Sequence, residues 1–429
     1  MQEEFAIGLV GWGVVGGGVL DVLANNGELL SQRCGSRLVV KTIVDNDLSR
    51  PRPQQVSAQL STDIDDINND PDIKVVIHLV PGTTIALDLM VSSLTAGKHV
   101  VTANKALLAE HGHNLYSVAN KHGVSIAFEA AVAGGVPIIA SLRDGLVANE
   151  IDSIHAILNG TSNFILTQME VQGSDYHEAL AQAQELGYAE ADPTLDVNGH
   201  DSAHKLAILA RIAFLAKVDM HHISIEGIEK VTADDIASAA RMGCRIKLLA
   251  VACKREDGIE LRVAPTLVPN NFPLAGVSEN YNGVRIDACN AGPTLLVGQG
   301  AGALPTASAV LSDVVDIASG RYQETCQRFR FFKDLDTLTV LDEDDEITAS
   351  YARFMVPDRT GVLASLCSCL SNRGISILSV NQSQPDHNGL CSLEVTTHPC
   401  RGGDFLAAAR EIERTGLAVE PPRMFRMMS

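Results

Sequence analysis

The chain has 429 residues, of which 46% are hydrophobic and 20% are charged, proportions typical of soluble globular proteins with two or three domains. Its formal net charge of −19 argues against nucleic acid or an anionic membrane as a partner. The first residues are acidic and no apolar run is long enough to span a bilayer, so we expect neither a secretory signal nor a membrane span. The nine cysteines are scattered, which predicts reduced thiols in a cytoplasmic protein.

The first predicted strand, 5–10, leads into a glycine-rich turn and then into a helical run. The turn has the G-x-G-x-x-G pattern between strand and helix that dinucleotide binding requires, and a ligand-free glycine-rich turn is the alternative. In this pattern the glycines permit, in order, a tight turn, the approach of a pyrophosphate, and close packing of helix on strand. The predicted cofactor contacts at this helix N-terminus are Gly11, Trp12, Gly13, Val14, Val15 and Gly16.

A second predicted strand, 38–44, is followed by Asp45, Asn46 and Asp47. An acid at this point accepts hydrogen bonds from the adenosine ribose and repels a 2′-phosphate. The spacing from the glycines is longer than the usual ~20 residues, so the sequence leaves open which acid takes this role. An acid that merely stabilises the turn is the alternative.

Further strands and helical runs alternate after this point: 75–80, 86–96, 98–102, 106–122 and 125–128. The alternation predicts a parallel, doubly wound α/β sheet. Ligands bind at the carboxyl ends of such strands, so we expect Thr83 and Lys105 to face a cofactor or substrate. The alternative for Lys105 is a solvent-exposed residue in the first turn of a helix.

Beyond residue 135, strands and helices are mixed in a way that predicts an α+β second domain, and a helix of small residues from about 302 to 320 is expected to return to the first domain. Within this region an acidic loop, 187–199, runs into a helix that carries Asp201 and Lys205 four residues apart on one face. A lysine at the edge of an apolar helix among acids can transfer protons. An exposed Asp–Lys pair is the alternative.

The C-terminal part begins with an acidic run, 342–346, which predicts a solvated linker. The residues that follow read as strand, helix, strand, hairpin, strand and helix, with the first helix opening near 358–363 and a turn at 386–389. This βαββα order predicts a compact ferredoxin-like module.

Motifs that carry a family resemblance extend over nearly the whole length of the chain. Besides the glycine-rich turn they are the segments 102–105, 129–137, 159–163, 187–205 and 300–308. With these motifs the chain resembles monofunctional homoserine dehydrogenases that have a C-terminal ACT domain. The resemblance implies a Rossmann-type domain (1–135, completed by the helix at about 302–320), a substrate-binding and dimerisation domain (136–301), an acidic linker (331–348) and an ACT domain (349–429).

The resemblance also implies an activity, the reversible oxidation of L-homoserine to L-aspartate 4-semialdehyde with NAD(P)+. Lys205 matches the family's proton donor and acceptor, and Lys105 matches a second active-site lysine. A lysine does this chemistry near neutral pH only if burial or a cationic neighbour lowers its pKa, and Lys105 would supply that cationic field. Glu190 matches a residue that holds the substrate amino group. The other implied substrate contacts are Asp196, Asp201, Gly160 and Thr161, and Gly302 is implied near the cofactor.

Two further ligands follow from the resemblance. A structural monovalent cation, sodium, is implied at Glu129 with the carbonyls of Val132, Gly134 and Val136, since such oxygens suit a hard ion. Threonine is the implied effector of the ACT domain, whose matching turn contains Asp358, Gly361, Val362 and Leu363. Some ACT domains only mediate assembly, and this remains the alternative. The implied assembly is a homodimer, or a homotetramer formed through the ACT domains.

Two departures from the family pattern affect the cofactor. NADP-using members carry an arginine where this chain has Asn46, so we predict that NAD is used at least as well as NADP. The family's Gly-Gly is Pro81-Gly82 here, and His78 replaces a common glutamate. Because proline lacks an amide hydrogen, cofactor contacts at this loop are open.

The sequence disfavours three rival interpretations. An aspartate-semialdehyde dehydrogenase needs a nucleophilic cysteine, and residues 129–205 contain none. A non-catalytic sensor that binds a nucleotide and an amino acid is disfavoured because Glu190, Asp201 and Lys205 are all present. His200 and His204 have a spacing that suits zinc, but the glutamate of an H-E-x-x-H motif is absent.

Overall fold

A computed structural model describes residues 3–328, 335 and 337–428 of the chain. The chain divides into two compact units. Unit one comprises Met1–Gly160, His200–His221 and Asn280–Leu338, and unit two comprises Thr161–Gly199, His222–Glu279 and Thr339–Ser429.

The secondary structure alternates between strands and helices in the first third of the chain and mixes them afterwards. Up to residue 157 the elements are β1 (Glu4–Val10), α1 (Val14–Cys34), β2 (Arg37–Val44), β3 (Gln59–Ser61), α2 (Asp65–Asn68), β4 (Ile73–His78), α3 (Ile85–Thr95), β5 (His99–Thr102), α4 (Lys105–His122), β6 (Ile126–Ala127), α5 (Ile138–Ala140) and β7 (Ile151–Ile157). From residue 160 to 269 they are α6 (Gly160–Gln172), α7 (Tyr176–Glu185), α8 (Thr194–Val197), α9 (His200–Phe214), β8 (Ser224–Ile225), α10 (Ala233–Arg241), β9 (Cys244–Arg255) and β10 (Gly258–Pro269).

The last third completes the secondary structure. Its elements are β11 (Tyr281–Ala288), β12 (Gly292–Gln299), α11 (Ala303–Ala318), α12 (Arg321–Arg328), β13 (Ile347–Pro357), α13 (Val362–Ser371), β14 (Ile377–Gln382), β15 (Leu390–Thr397), β16 (Cys400–Arg401), α14 (Gly402–Arg414) and β17 (Arg423–Met427). The strands and helices predicted from the sequence are confirmed, with ends shifted by a few residues. Strands β11, β12 and β17 are among the elements that were not predicted.

Unit one contains a six-stranded parallel sheet in the order β3-β2-β1-β4-β5-β6, as the alternating pattern predicts. The second halves of its central strands, β1 and β4, are buried and mostly apolar, which is typical of a sheet covered on both faces. The register places Val10 level with Val44 and His78, and His78 level with Thr102. The loops that follow these four residues therefore leave the sheet at one edge.

Helix α11 packs against α1 within unit one. Gly18 of α1 permits this contact, because a Cβ atom at that position would lie 2.6 Å from the carbonyl oxygen of Ala303. Unit one also contains an antiparallel arrangement in which β11 pairs with both β7 and β12. Helix α11, which follows the predicted substrate-binding domain in sequence, thus belongs to the same unit as the parallel sheet.

Unit two is built on a sheet in which β10 pairs with both β9 and β17. The sheet continues through β13 and β15 to β14. Helices α13 and α14 cover the β13–β15 part, and their apolar residues, among them Leu366, Phe405 and Ile412, form its core with Phe354 and Val395. The predicted βαββα order is confirmed. The additional strand β17 joins this module to β10.

The prediction that residues 342–346 are a solvated charge run is wrong for Glu346, whereas Glu343 remains exposed. Glu346 is buried, and its Oε2 lies 2.9 Å from Nε of Arg426 and 3.6 Å from Nη1 of Arg262. Glu343 accepts from Nη2 of Arg426 at 2.6 Å. The pattern failed because the arginines that neutralise the run come from β10 and β17, far away in sequence. Residues 329–334 and 336, which include part of the predicted linker, lie outside the described residues.

Across the described residues, no helix is both long and apolar enough to cross a membrane.

Candidate active site

The glycine-rich turn after β1 has the geometry of a phosphate cradle. Gly11 has a φ of +96°, which favours glycine, and a Cβ atom on Gly16 would clash with the carbonyl oxygen of Gly11. A Cβ atom on Gly13 would meet nothing within 4 Å, so the backbone is open to an approaching ligand. Helix α1 begins at Val14, and its first amides point out of the helix end, where an anion is stabilised. The turn therefore fits a dinucleotide pyrophosphate.

Asp45, rather than Asp47, is the acid that contacts this turn. Its Oδ2 accepts from the backbone amide of Trp12 at 2.6 Å. The carboxylate of Asp47 instead accepts from the amide and hydroxyl of Ser49. Arg52, which the sequence reasoning missed, lies 3.1 Å from Oδ1 of Asp45 and stacks 4.6 Å from the centre of the Trp12 ring. An acid and an arginine thus meet beside the cradle.

The loops after β4 and β5 are tied together by Asn104. Its Nδ2 donates to the carbonyls of Val80 at 3.0 Å and Gly82 at 2.8 Å, and its Oδ1 accepts from the amide of Leu107. Asn104 is therefore the N-cap of α4, which places Lys105 in the first turn. Thr83 is half-buried in the neighbouring loop. Gly302 has a φ of +116° and is the N-cap of α11.

His78 ends β4 at this edge of the sheet and is completely buried. Burial lowers the pKa of His78 to about 4. The imidazole is therefore neutral at neutral pH. Thr102 donates its hydroxyl hydrogen to the carbonyl oxygen of His78 at 3.0 Å.

Lys205 is held in a fixed position on α9. Its Nζ donates to the carbonyl oxygen of Leu158 and to Oδ2 of Asp201, each at 2.7 Å. Nζ of Lys105 lies 3.3 Å from the other oxygen of Asp201. The side chains of Lys205 and Asp201 are only 11% and 7% exposed. The alternative of an exposed Asp–Lys pair is therefore wrong.

The carboxylate of Asp201 stays ionised despite its burial. Burial by itself would raise the pKa of Asp201, but the positive charges of Lys205 and Lys105 and the hydrogen bonds from Lys205 and Asn159 hold it well below its usual value. Nδ2 of Asn159 donates to Oδ2 at 2.9 Å. One buried negative charge is thus shared between two lysines.

The Leu158 carbonyl that receives Lys205 is itself fixed. Nδ2 of Asn282 donates to it at 3.0 Å. Gly160 follows in the chain, and a Cβ atom there would lie 2.6 Å from the carbonyl oxygen of Asn280. No local sequence pattern indicates Asn282, because it lies on β11, far from the motif in sequence. Only the folded sheet brings it to the 158–160 segment.

The remaining predicted substrate contacts lie in unit two. Thr161 donates to the carbonyl of Tyr188 at 2.7 Å, and Ser162 donates to the carbonyl of Asp196 at 2.8 Å. Glu190 has an exposed side chain, and its carbonyl accepts from Nε2 of Gln184. The first turn of α6 therefore holds the loop that carries Glu190 and Asp196.

A buried lysine that the sequence reasoning missed lies beneath this turn. Nζ of Lys247 donates to Oδ1 of Asn163 at 3.1 Å and to the carbonyl of Val277 at 2.7 Å. Burial lowers the pKa of Lys247 to about 8. Its position inside an apolar strand gives no local sequence signal. Lys247 fixes Asn163, the last residue of the 159–163 motif.

The predicted cation loop in unit one has an unusual backbone. Ala133 and Gly134 have φ values of 55° and 52°, and a Cβ atom on Gly134 would clash with the carbonyl oxygen of Gly300. Val132 and Val136, which supply two of the predicted carbonyl ligands, are both buried.

The carboxylate of Glu129 beside this loop accepts from the amides of Ile139 and Ala140, both at 2.8 Å. Burial raises the pKa of Glu129, while these two bonds oppose the rise. Within the described part of the chain, no three His, Cys, Asp or Glu side chains are grouped as metal ligands.

The predicted effector turn lies in unit two between β13 and α13. Gly361 has a φ of +91° and is the N-cap of α13, which begins at Val362, and Leu363 is exposed. The amide of Asp358 donates to the carbonyl of Gly389, and Oδ1 of Asp358 accepts from Nε2 of Gln382 at 3.3 Å.

Comparisons with known proteins agree with this geometry. A family described as "Homoserine dehydrogenase, NAD binding domain" matches residues 11–129, and one described as "Homoserine dehydrogenase" matches residues 137–315. A homoserine dehydrogenase of Neisseria gonorrhoeae is 41% identical over 99% of this chain and 98% of its own. The crystal structure of a homoserine dehydrogenase from Thiobacillus denitrificans has a TM-score of 0.94 at 38% identity and covers 100% of both chains. A hyperthermophilic archaeal homoserine dehydrogenase in complex with NADPH has a TM-score of 0.62 at 25% identity, over 73% of this chain and 97% of its own.

The parallel sheet, the glycine cradle and these matches define an NAD(P)-dependent oxidoreductase. Its second, mixed sheet follows the first along the chain, as in the relatives that match over the full length. The chain belongs to the homoserine dehydrogenase family.

Proposed function

We propose that the enzyme interconverts L-homoserine and L-aspartate 4-semialdehyde with NAD(P) as the redox partner. The observation that supports this most strongly is the arrangement of Lys205, Asp201 and Lys105. A buried ammonium group held by two fixed acceptors and placed beside a second lysine suits proton transfer at a substrate oxygen.

Lys205 is the proposed catalytic acid and base. An ammonium group has three hydrogens, and the Leu158 carbonyl and Asp201 take two of them. The third remains for the oxygen of the substrate. In the oxidative direction neutral Lys205 accepts the hydroxyl proton of homoserine, and in the reductive direction its ammonium returns a proton to the aldehyde oxygen. Lys105 adds positive charge where the oxygen develops negative charge.

The cradle at residues 11–16 is the proposed holder of the cofactor pyrophosphate, and Asp45 the proposed partner of its ribose. A nicotinamide cofactor held there would supply the hydride acceptor for the hydroxyl-bearing carbon of the substrate. The carboxylate of Asp45, which accepts from the amide of Trp12 in the cradle, would repel a 2′-phosphate bound beside it, and this supports the proposal that NAD is used at least as well as NADP. Thr83, Lys105 and Gly302 are proposed as further cofactor contacts.

Substrate recognition is assigned to the loop held by α6. The exposed carboxylate of Glu190 is the proposed partner of the homoserine ammonium group. Asp196, Asp201, Gly160 and Thr161 are proposed to shape the rest of the site. The functional division into domains follows the ranges given above, with residues 349–429 as an ACT domain.

The proposed activity is tested by the near-ultraviolet absorbance of reduced nicotinamide after homoserine is added with NAD+ or NADP+. Lys205→Ala is expected to lower kcat by at least ~10²-fold, the usual contribution of a general acid–base group. Lys121→Ala, an exposed lysine at the end of α4, is the matched control. Trp12 is the only tryptophan and lies in the cradle, so its fluorescence reports NADH binding independently of turnover. A folded enzyme that binds NADH but never oxidises homoserine would contradict the proposal and favour a sensor.

A monovalent cation is proposed at the carbonyls of Val132, Gly134 and Val136 beside Glu129. The left-handed backbone at 133 and 134 supports a loop whose carbonyl oxygens are held in a fixed array. Unfolding temperatures in sodium and in tetramethylammonium at equal ionic strength test this site. A higher unfolding temperature in sodium is expected, and equal temperatures would remove the cation from the proposal.

Threonine is proposed to inhibit the enzyme through the turn that contains Asp358, Gly361, Val362 and Leu363. The βαββα order and the tight turn before α13 support this proposal. Initial rates at subsaturating homoserine are measured as threonine is added, for wild type and Asp358→Ala. Inhibition that disappears in the variant is expected. No inhibition at millimolar threonine would assign the module to assembly, which light scattering would then show as a dimer or tetramer.

A further inference from the structure

A cavity of about 260 Å³ lies in unit two, away from every residue assigned above to substrate, cofactor or effector. Its walls come from the segment after β8, from the first turn of α14 and from β17. The volume is just below the ~300–1,000 Å³ of pockets for drug-sized ligands, so it suits a smaller molecule.

The two arginines in the cavity wall are already paired. Nη2 of Arg423 lies 3.0 Å from Oδ2 of Asp235. Nη2 of Arg426 lies 2.6 Å from Oε1 of Glu343, and its Nε lies 2.9 Å from Oε2 of Glu346. Their charges are therefore balanced by carboxylates of the protein itself.

Glu226 and Lys230 differ from these two arginines in their ion pairing. Both line the cavity, and neither forms a side-chain ion pair with any residue in the described part of the chain. Partial burial raises the pKa of Glu226, and the nearby charges of Arg426 and Lys230 oppose the rise. A carboxylate and an ammonium group, four residues apart in sequence, are thus both available to a ligand.

The other residues of the cavity wall restrict the class of ligand that can bind there. Phe405, Leu406 and Pro422 supply apolar surface. Three carboxylates, from Glu226, Glu343 and Asp344, are matched by three cations in the same wall, so the cavity has no excess positive charge with which to bind phosphates and other polyanions.

We propose that this cavity binds a small α-amino acid as its zwitterion. Glu226 receives the ammonium group, Lys230 receives the carboxylate, and Phe405 and Leu406 contact the side chain. Arg426 links the cavity to the buried Glu346, which also lies near Arg262 of β10. A ligand that competes for Arg426 or Glu343 therefore alters an ion network attached to β10.

Isothermal titration calorimetry tests the site on the full-length chain in the Asp358→Ala background, which removes the effector turn proposed above. The probes are glycine, alanine, serine, threonine, valine and leucine at up to ~10 mM. Isobutylamine and isovalerate, which are valine without its carboxylate and without its ammonium group, test the need for both charges. We expect saturable binding of at least one amino acid and binding at least tenfold weaker for the two single-charge analogues.

The variants Glu226→Gln and Lys230→Met are each expected to weaken binding at least tenfold while leaving the rate without added amino acid unchanged. Glu229→Gln and Lys254→Met, exposed residues that do not line the cavity, are the matched controls and should bind normally. Absence of binding by every amino acid would overturn the proposal. Binding that survives both cavity variants would also overturn it. Neither outcome depends on homoserine turnover, so failure here is distinct from failure of the proposed activity.

Discussion

Nζ of Lys205 lies 2.7 Å from Oδ2 of Asp201, one helical turn earlier on α9, in a pair that is almost wholly removed from solvent. A buried pair has little net effect on stability while both partners are present, but removal of one partner leaves an uncompensated charge. Lys105 shares the same carboxylate, so loss of Asp201 leaves two lysines without their counter-ion. This residue is therefore important both for the fold and for the proposed proton transfer.

Asp201→Asn is expected to lower kcat by at least tenfold and to destabilise unit one by about 3–5 kcal/mol. The asparagine keeps the shape of the side chain but not the charge that orients Lys205. Urea unfolding followed by the fluorescence of Trp12 measures the free energy of unfolding, and NAD(P)H absorbance measures kcat. Asp152→Asn, an exposed acid on β7, is the control. Equal stability of the Asp201 and Asp152 variants would contradict the assigned role.

Asp201 also predicts a loss of stability in acid. Its folded pKa lies below that of an unfolded aspartate, about 3.9. The stabilising contribution is therefore complete above about pH 5 and is lost as pH falls through 3.9 toward the folded pKa. Between pH 5 and 3 the gap in unfolding free energy between wild type and Asp201→Asn should narrow. A gap that widens over this range would show that the carboxylate is protonated in the folded state.

His78 makes the stability of the protein depend on pH over a higher range than Asp201 does. Its folded pKa is about 4, whereas an unfolded histidine titrates near 6.5. Between these values the unfolded chain binds a proton that the folded chain does not, so stability falls as pH is lowered, by about 3 kcal/mol in total. His78→Leu should remove this part of the pH dependence, and exposed His122→Leu should leave it unchanged. Urea unfolding at pH 7, 5.5 and 4 measures the free energy of unfolding of each protein. If this free energy depends on pH in the same way for wild type and His78→Leu, the prediction is contradicted.

Short sequence patterns predicted those parts of the fold and the site that depend on residues close together in sequence. The glycines of the 11–16 turn, the alternation of strands and helices, and the Asp201–Lys205 spacing each lie within a few residues, and the structure has them as expected. Partners from distant segments gave no such signal. Arg52, Asn282 and Lys247 lie in a loop and on two strands where nothing in the neighbouring residues indicates their contacts.

The acidic run at 342–346 also shows that local composition does not predict contacts with distant segments. Five adjacent acids have the composition of a solvated linker, yet Glu346 is buried because Arg426 and Arg262 neutralise it. Those arginines become neighbours only when β17 pairs with β10. The environment of a charge depends on long-range pairing, which composition does not contain.

Asp45 allows a test of cofactor choice with a close internal control. Asp45→Asn removes the charge that is proposed to repel a 2′-phosphate and releases Arg52 to attract it. The ratio of kcat/KM for NAD+ to that for NADP+ should fall by about tenfold or more, the effect of a hydrogen bond to a charged group. Asp47→Asn alters an acid whose carboxylate accepts from Ser49 and should leave the ratio unchanged. Equal effects of the two substitutions would place ribose recognition elsewhere.

Lys247 is predicted to position the substrate loop rather than to touch the substrate. In Lys247→Met the Oδ1 atom of Asn163 loses its hydrogen-bond donor. Asn163 lies in the first turn of α6, and this turn holds the loop of Tyr188 and Asp196. The substitution therefore loosens the turn that positions the loop. KM for homoserine should rise about tenfold, the cost of one broken buried hydrogen bond, while KM for the cofactor stays the same. Lys254→Met, at the exposed end of β9, is the control.

A second measurement separates this role from a general loss of packing. The folded pKa of Lys247 is about 8, and an unfolded lysine titrates near 10.4. Between these values the unfolded chain holds more protons, so the stability of wild type should increase with pH relative to Lys247→Met, by up to about 3 kcal/mol. Urea unfolding at pH 7.5 and 9.5, followed by circular dichroism, measures this difference. If the difference is the same at both values, Lys247 is not a buried cation, and a raised KM in the variant would then reflect packing alone.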